Sequence, residues 1–170
     1  MQIYGVNYFD TFSPVAKLSS FCTILVYAIC HNWEIESFDF NGAYLNGKLD
    51  NNEEIFMQEP PGYKTGSGGS LVKRLQKLLY GLKQARQKWY DALCCILVDL
   101  GFHISNADLG VFHAHVEGNL IILAIHVDNC TMTGSSPKLI ASYKGKLNEL
   151  TLSPSLIALT SLMPSQLPCQ

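Results

Sequence analysis

Leu120-Ile-Ile-Leu-Ala-Ile-His-Val-Asp-Asn-Cys-Thr-Met-Thr-Gly134 is an apolar run interrupted by a polar pair, Asp128 and Asn129. Leu120 to Val127 has strand-forming character, Asp128-Asn129 tolerates a tight turn, and Cys130 to Thr133 resumes an extended pattern. The stretch therefore predicts a β-hairpin with a carboxylate at its tip. A carboxylate held there is costly to keep charged without a cation, so a metal is its natural partner. A plain turn is the simpler account of the two residues taken alone, because Asp and Asn are among the commonest turn formers.

A second carboxylate stands at the end of another extended run, Trp33-Glu-Ile-Glu-Ser-Phe-Asp-Phe40. Two aspartates, Asp39 and Asp128, each at a strand end, can meet across neighbouring strands. Five phrases then occur in order: Asp10-Thr-Phe-Ser-Pro-Val-Ala-Lys17, Asp39-Phe-Asn-Gly-Ala-Tyr-Leu-Asn-Gly47, Ile55-Phe-Met-Gln-Glu-Pro-Pro-Gly-Tyr63, Leu79-Tyr-Gly-Leu-Lys-Gln-Ala85 and His126-Val-Asp-Asn129. In wording and spacing the chain resembles the reverse transcriptases of copia-type LTR retrotransposons, from about Ile3 to Leu150.

Composition bounds this reading. A chain of 170 residues with 48% apolar content buries a sizeable core and is not a disordered protein. The apolar run Leu120 to Val127 is less than half a membrane span, and the start lacks a basic segment followed by an apolar core. Six cysteines, Cys22, Cys30, Cys94, Cys95, Cys130 and Cys169, have no paired metal-type spacing, which suits a reducing intracellular setting, cytoplasmic or nuclear. The net charge of −2 argues mildly against a nucleic-acid binder. Its distribution argues the other way: Lys73, Arg74, Lys77, Lys83, Arg86 and Lys88 lie in a stretch without an acid, which suits a phosphate backbone or, more blandly, a solvated helix face.

Along the chain, Ser13-Pro14 is a helix start signal, and Leu18, Phe21, Leu25 and Ala28 recur at helical spacing through His31. Trp33 to Phe40 is a strand, and Gly42 and Gly47 turn the chain around Tyr44. Ile55 to Gln58 is a short strand stopped by Pro60-Pro61, and Leu71 to Leu75 returns beyond the flexible stretch Gly66 to Ser70. A long helix follows, with Trp89, Leu93, Ile96, Leu97 and Leu100 on one face and Gly101 as its stop. Trp89-Tyr90 could stack on a base, but its helical spacing favours core. Val111 to Val116 pairs with Leu120 to Val127 through Glu117-Gly-Asn119, and Ser136-Pro137 opens a helix over Lys138 to Leu150. His113 and His115 have the two-residue spacing of a metal pair, with no third ligand near in sequence. From Thr151 to Gln170 there is no charged residue and no convincing period, which predicts a divergent, poorly ordered tail.

The resemblance implies an α+β fold: a truncated reverse-transcriptase palm-type antiparallel sheet with packed helices, residues 1–150 being partial fingers and palm. The family's upstream fingers strands, and its thumb and ribonuclease H regions, would lie outside this stretch. It implies RNA-directed DNA synthesis in which carboxylates hold two Mg²⁺ ions about 3.5–4 Å apart. Asp39, the Phe40 carbonyl and Asp128 match the metal ligands. The family's Tyr-Val-Asp-Asp is here His126-Val127-Asp128-Asn129, so a neutral carboxamide stands at the third catalytic position. Tyr44 matches the aromatic beneath the incoming sugar, and Lys83 and Gln84 match a segment near template and nucleotide, with Arg86 where proline is usual. Implied partners are an RNA/DNA primer-template and a deoxynucleoside triphosphate. The lost carboxylate and the partial domain lead to the expectation of an inactive enzyme. A non-catalytic binding remnant and a decayed gene product are the alternatives.

Overall fold

Asn119 to Gly134 folds as a hairpin in which β6 (Asn119–His126) pairs antiparallel with β7 (Asn129–Gly134). The computed structural model describes residues 2–40, 42–47, 49, 53–58 and 72–152; the stretch Gly66 to Ser70 and nearly all of the expected tail lie outside the described residues. The described residues fall into two compact units, one drawn from the ranges 1–14 and 42–93 and the other from 15–41 and 94–170.

The second unit is built on five antiparallel strands in the order β1 (Glu34–Asp39), β7, β6, β5 (Asp108–Val116) and β4 (His103–Ser105). Period-two alternation puts Phe112 and Ala114, then Ile121, Leu123 and Ile125, then Cys130 and Met132 on one face, and all are buried. Burying each large apolar side chain there is worth about 1.5–3 kcal/mol. Helix α4 (Pro137–Leu152) lies against β7 and buries Ile140, Tyr143 and Leu147 at helical spacing. The Tyr143 ring meets Phe102 edge-on at 5.3 Å. The other face carries a smaller cluster of Ile24, Val111 and Ala124, with Ala16, Phe21 and Ile122 against it.

Helix α1 begins at Leu18 and ends at Cys30, four residues later than the Ser13-Pro14 signal predicts. Tertiary hydrogen bonds explain the difference. The Ala16 N–H donates to the Ile125 carbonyl at 2.9 Å, and the Lys17 N–H donates to the Asp108 carboxylate at 2.8 Å. The chain is thus laid along the sheet before it can coil. Gly110 permits the approach, since a Cβ there would stand 2.1 Å from the Ala16 nitrogen.

The β5–β6 connection is Glu117-Gly118, both at positive φ (49° and 78°), as a type I′ turn requires. Helix α3 (Ala85–Asp99) buries Trp89, Leu93, Ile96 and Leu97, so Trp89 is core. Gly101, at φ 89°, stops it, and the Phe102 N–H returns to the Leu97 carbonyl at 2.9 Å. Of the adjacent cysteines, Cys94 is buried and Cys95 exposed. Strand β4 and the Asp108–Gly110 start of β5 are additions to the expected elements.

In the first unit, β2 (Phe56–Gln58) pairs antiparallel with β3 (Val72–Arg74), as expected for Ile55 to Gln58 and its return strand. Gly42, at φ 64°, leads into the short helix α2 (Ala43–Asn46).

Candidate active site

Strand pairing builds the centre. Asp39, the last residue of β1, stands directly opposite Asn129, the first of β7, and Asn129 also stands opposite His126, the last of β6. Directly paired residues share a face, so Asp39, Asn129 and His126 form one row across three strands. All three are exposed, and Asp128 is half-buried. The Phe40 N–H donates to the Asp128 carbonyl at 3.0 Å and fixes the chain leaving Asp39 against the hairpin.

The two-residue connection is Val127-Asp128 and not the expected Asp128-Asn129, because the pairing of His126 with Asn129 brings Asn129 into the strand. Val127 has φ 64°. A β-branched residue is strained in that left-handed region, and such strain persists only where surrounding pairing over-determines it. The registers on both sides of β7 supply that constraint.

Asn129 Nδ2 donates to Asp128 Oδ1 at 3.3 Å. The next residue, Cys130, is buried on the core face of the sheet. Burial first, and then the charges of Asp39 and Asp128, push its thiol well above the ordinary range. Both carboxylates thus contribute to disfavouring the Cys130 thiolate. Oxygen donors from Asp39, Asp128, the Phe40 carbonyl and the Asn129 carboxamide are of the hard kind that Mg²⁺ prefers. They suit a divalent cation in kind but supply only two anions. Among the described residues no three His, Cys, Asp or Glu side chains converge on a point that could hold a metal.

Other residues singled out in the sequence lie in the first unit. Tyr44 is buried, its ring edge-on to Tyr80 at 4.6 Å. Gln84 is also buried: it accepts from Gln2 Nε2 at 2.9 Å and donates to the Asn7 carbonyl at 3.0 Å. Its amide thus ties the start of the chain to the segment before α3. Lys73, Arg74, Lys77, Lys83 and Arg86 are exposed and Lys88 is half-buried. Arg74 pairs with Glu54 at 3.3 Å, an exposed contact of small energetic weight.

Sequence reasoning missed the burial of Cys130 next to the row of Asp39 and Asn129 and the role of Asp108, a buried acid that accepts from the Lys17 and Gly110 N–H groups at 2.8 and 3.0 Å. Its only signal is an acid beside Gly110 at the start of an apolar strand.

An antiparallel sheet with helices against it, an aspartate ending one strand and another in the adjoining turn, defines an α+β domain with hard-oxygen donors at one end of its sheet. A family model described as "Reverse transcriptase (RNA-dependent DNA polymerase)" matches residues 1–155. The chain is 34% identical over 145 residues to the retrovirus-related Pol polyprotein from transposon RE1 of Arabidopsis thaliana, covering 85% of this chain and 10% of that protein. It is 36% identical over 149 residues to the corresponding polyprotein from transposon TNT 1-94 of Nicotiana tabacum, covering 87% of this chain and 11% of that protein. A third relative, from transposon RE2 of Arabidopsis thaliana, is 36% identical over 136 residues, 80% of this chain and 9% of the relative. The chain belongs to the reverse transcriptase family of transposon Pol polyproteins. It spans about a tenth of the length of these relatives. No solved structure matches it. Among the described residues, no helix is long and apolar enough to cross a membrane.

Proposed function

We propose that residues 1–150 are the palm and part of the fingers of a reverse transcriptase from a copia-type element, and that nucleotidyl transfer is disabled in this chain at Asn129. Residues 151–170 are a divergent tail in this reading, beginning near the end of α4. The relevant ancestral chemistry is RNA-directed DNA synthesis. Asp39, the Phe40 carbonyl and Asp128 are the residues that would hold Mg²⁺. When bound, Mg²⁺ would offset the charge of the triphosphate and the negative charge that develops on the attacking 3′-oxygen.

The carrying observation is the row Asp39, Asn129, His126, with Asp128 in the turn beside it. With an aspartate at position 129, two adjacent carboxylates would repel each other and require a cation. The asparagine removes that requirement: its amide donates to Asp128 and satisfies one carboxylate oxygen from within the chain. Loss of one negative charge also leaves a site for divalent ions and a polyphosphate undercharged. His126, opposite Asn129, adds an imidazole where the family has a tyrosine.

In this reading Tyr44 takes the role of the aromatic beneath the incoming sugar, and Lys83 and Gln84 match the segment near template and nucleotide. Lys73, Arg74, Lys77, Lys83, Arg86 and Lys88 supply the contacts to the primer-template backbone. Those contacts need no metal, so the chain retains nucleic-acid binding when it has lost synthesis. Primer extension on an RNA template with Mg²⁺ tests the reading: no extended product is expected, and processive synthesis by the unmodified chain overturns it.

A further inference from the structure

At the far edge of the same sheet, three histidines stand in a row. His103 on β4 is directly paired with His113 on β5, and His115 follows two residues along β5. A paired residue and its second neighbour share a sheet face. The rings confirm the placement: centroids are 5.9 Å apart for His103 and His113, and 6.1 Å for His113 and His115. His103 and His115 are exposed and His113 is half-buried. Among the described residues, no hydrogen bond or ion pair holds any of the three rings.

We propose that this ladder binds a borderline-soft divalent cation of the Zn²⁺, Ni²⁺ or Cu²⁺ type through His113 and one or both flanking imidazoles. A bond of about 2.0–2.1 Å from the ion to one nitrogen of each ring sets the two ring centroids roughly 5–6 Å apart. Both observed separations are at or just beyond the upper end of that span. The three side chains do not converge on one point as they stand, and the ion closes the site by turning the exposed rings of His103 and His115 toward the half-buried His113. His113 is the common ligand because it alone has an imidazole on either side.

The backbone beneath is rigid. Phe112 and Ala114 are buried on the opposite face, and His113 faces Ile122 of β6, which packs in the apolar cluster around Val111. Preference for these metals over Mg²⁺ follows from the donors, since imidazole suits Zn²⁺, Cu²⁺ and Ni²⁺ and Mg²⁺ demands oxygen. This site is separate from the carboxylates of Asp39 and Asp128, and water completes its coordination. A bound ion crosslinks β4, the edge strand, to β5.

The test is calorimetric titration of the whole chain with Ni²⁺ and with Zn²⁺, backed by thermal unfolding with each ion. Binding of a single ion, a raised unfolding temperature and no comparable response to Mg²⁺ are expected. His113→Ala abolishes the response, and at least one of His103→Ala and His115→Ala weakens it. His31→Ala, which removes an exposed histidine elsewhere, leaves it unchanged. Should His113→Ala misfold, His113→Gln keeps a polar side chain of similar reach that is a poor ligand for these ions. With Cu²⁺, electron paramagnetic resonance reads coupling to at least two imidazole nitrogens. Retained binding in a folded His113 variant, or equal loss in His31→Ala, overturns the proposal.

Discussion

Asn129 and Asp128, adjacent in sequence, are joined side chain to side chain, the carboxamide donating to the carboxylate at 3.3 Å. The bond lies where β7 leaves its turn, with Asp39 facing Asn129 from β1. A carboxylate that would need a cation in an all-aspartate turn has instead a neutral donor supplied by its neighbour. Predictions about the site and about the frame that holds it follow from separate contacts.

Gly110→Ala should destabilise the second unit. The new methyl would stand 2.1 Å from the Ala16 nitrogen and 2.5 Å from the Val15 carbonyl carbon, both backbone atoms that cannot rotate away. Overpacking of this kind costs typically about 1–3 kcal/mol, read as a lowered midpoint in urea with an unchanged slope. An unchanged midpoint would show that residues 15–16 do not lie on the sheet at this glycine.

Asp108 should make stability depend on acid. Desolvation pushes its carboxyl upward, but hydrogen bonds from the Ser20 side chain and the Lys17 and Gly110 N–H groups, with the Lys17 charge, more than offset this and hold it below the ordinary carboxylate value. A depressed carboxyl contributes stability that is fully present above its unfolded pKa, about 3.9, and is lost as pH falls through the folded value. Denaturation between pH 5 and pH 2 should therefore be shallower in Asp108→Asn. At pH 7, Asp108→Ala should cost about 1–3 kcal/mol, because two N–H donors lose their acceptor. Parallel acid profiles for the parent and Asp108→Asn would refute the assignment.

Cys130 should resist alkylation. Burial and the two neighbouring carboxylates disfavour its thiolate, the reactive form. Cys22, Cys30 and Cys95 are exposed. Peptide mapping after iodoacetamide treatment of the folded chain at pH 8 should find these three modified and Cys130 protected, until denaturant is added. Labelling of Cys130 at the rate of Cys22 would mean that the core face of β7 is not covered.

Binding to a primer-template duplex should fall steeply with salt, because each phosphate contact releases a counterion and adds about 0.9 to the negative slope of log K against log salt on B-form DNA. Lys83→Ala or Arg86→Ala should each lower that slope by about one contact, for all sequences alike. Salt-independent or sequence-selective binding would remove the basic stretch from the interface.

Much of this arrangement is legible in the residues. Period two fixes the β5–β6–β7 meander and period 3.6 fixes α3, because in both an uninterrupted apolar pattern is buried against the core. The site is legible mainly through the family phrases: Asp39 and Asp128 lie far apart in sequence, and only the register of β1 on β7 places Asp39 opposite Asn129, the neighbour of Asp128. What escaped were features decided by tertiary contacts. The start of α1 depends on Ala16 reaching Ile125 and Lys17 reaching Asp108, which no local signal reports. The turn moved one residue because pairing outweighed the preference of Val127 for an extended backbone. Likewise, β4 is too short to show a period, so the partner that His103 gives His113 could not be read.

The measurement that bears most directly on the central claim is Mg²⁺ affinity in the parent, in Asn129→Asp and in Asn129→Asp combined with Asp39→Asn, by calorimetric titration of the folded proteins. The change from carboxamide to carboxylate leaves volume almost constant and adds one negative charge. A unit charge about 4 Å away is worth roughly 1–4 kcal/mol between the limits of water and a protein surface. Mg²⁺ should therefore bind Asn129→Asp more tightly by at least about 1 kcal/mol, and the gain should vanish when Asp39 is also neutralised. Equal Mg²⁺ affinity in the parent and in Asn129→Asp, or a gain that survives Asp39→Asn, would contradict the assignment of Asp39, Asp128 and position 129 to one metal site.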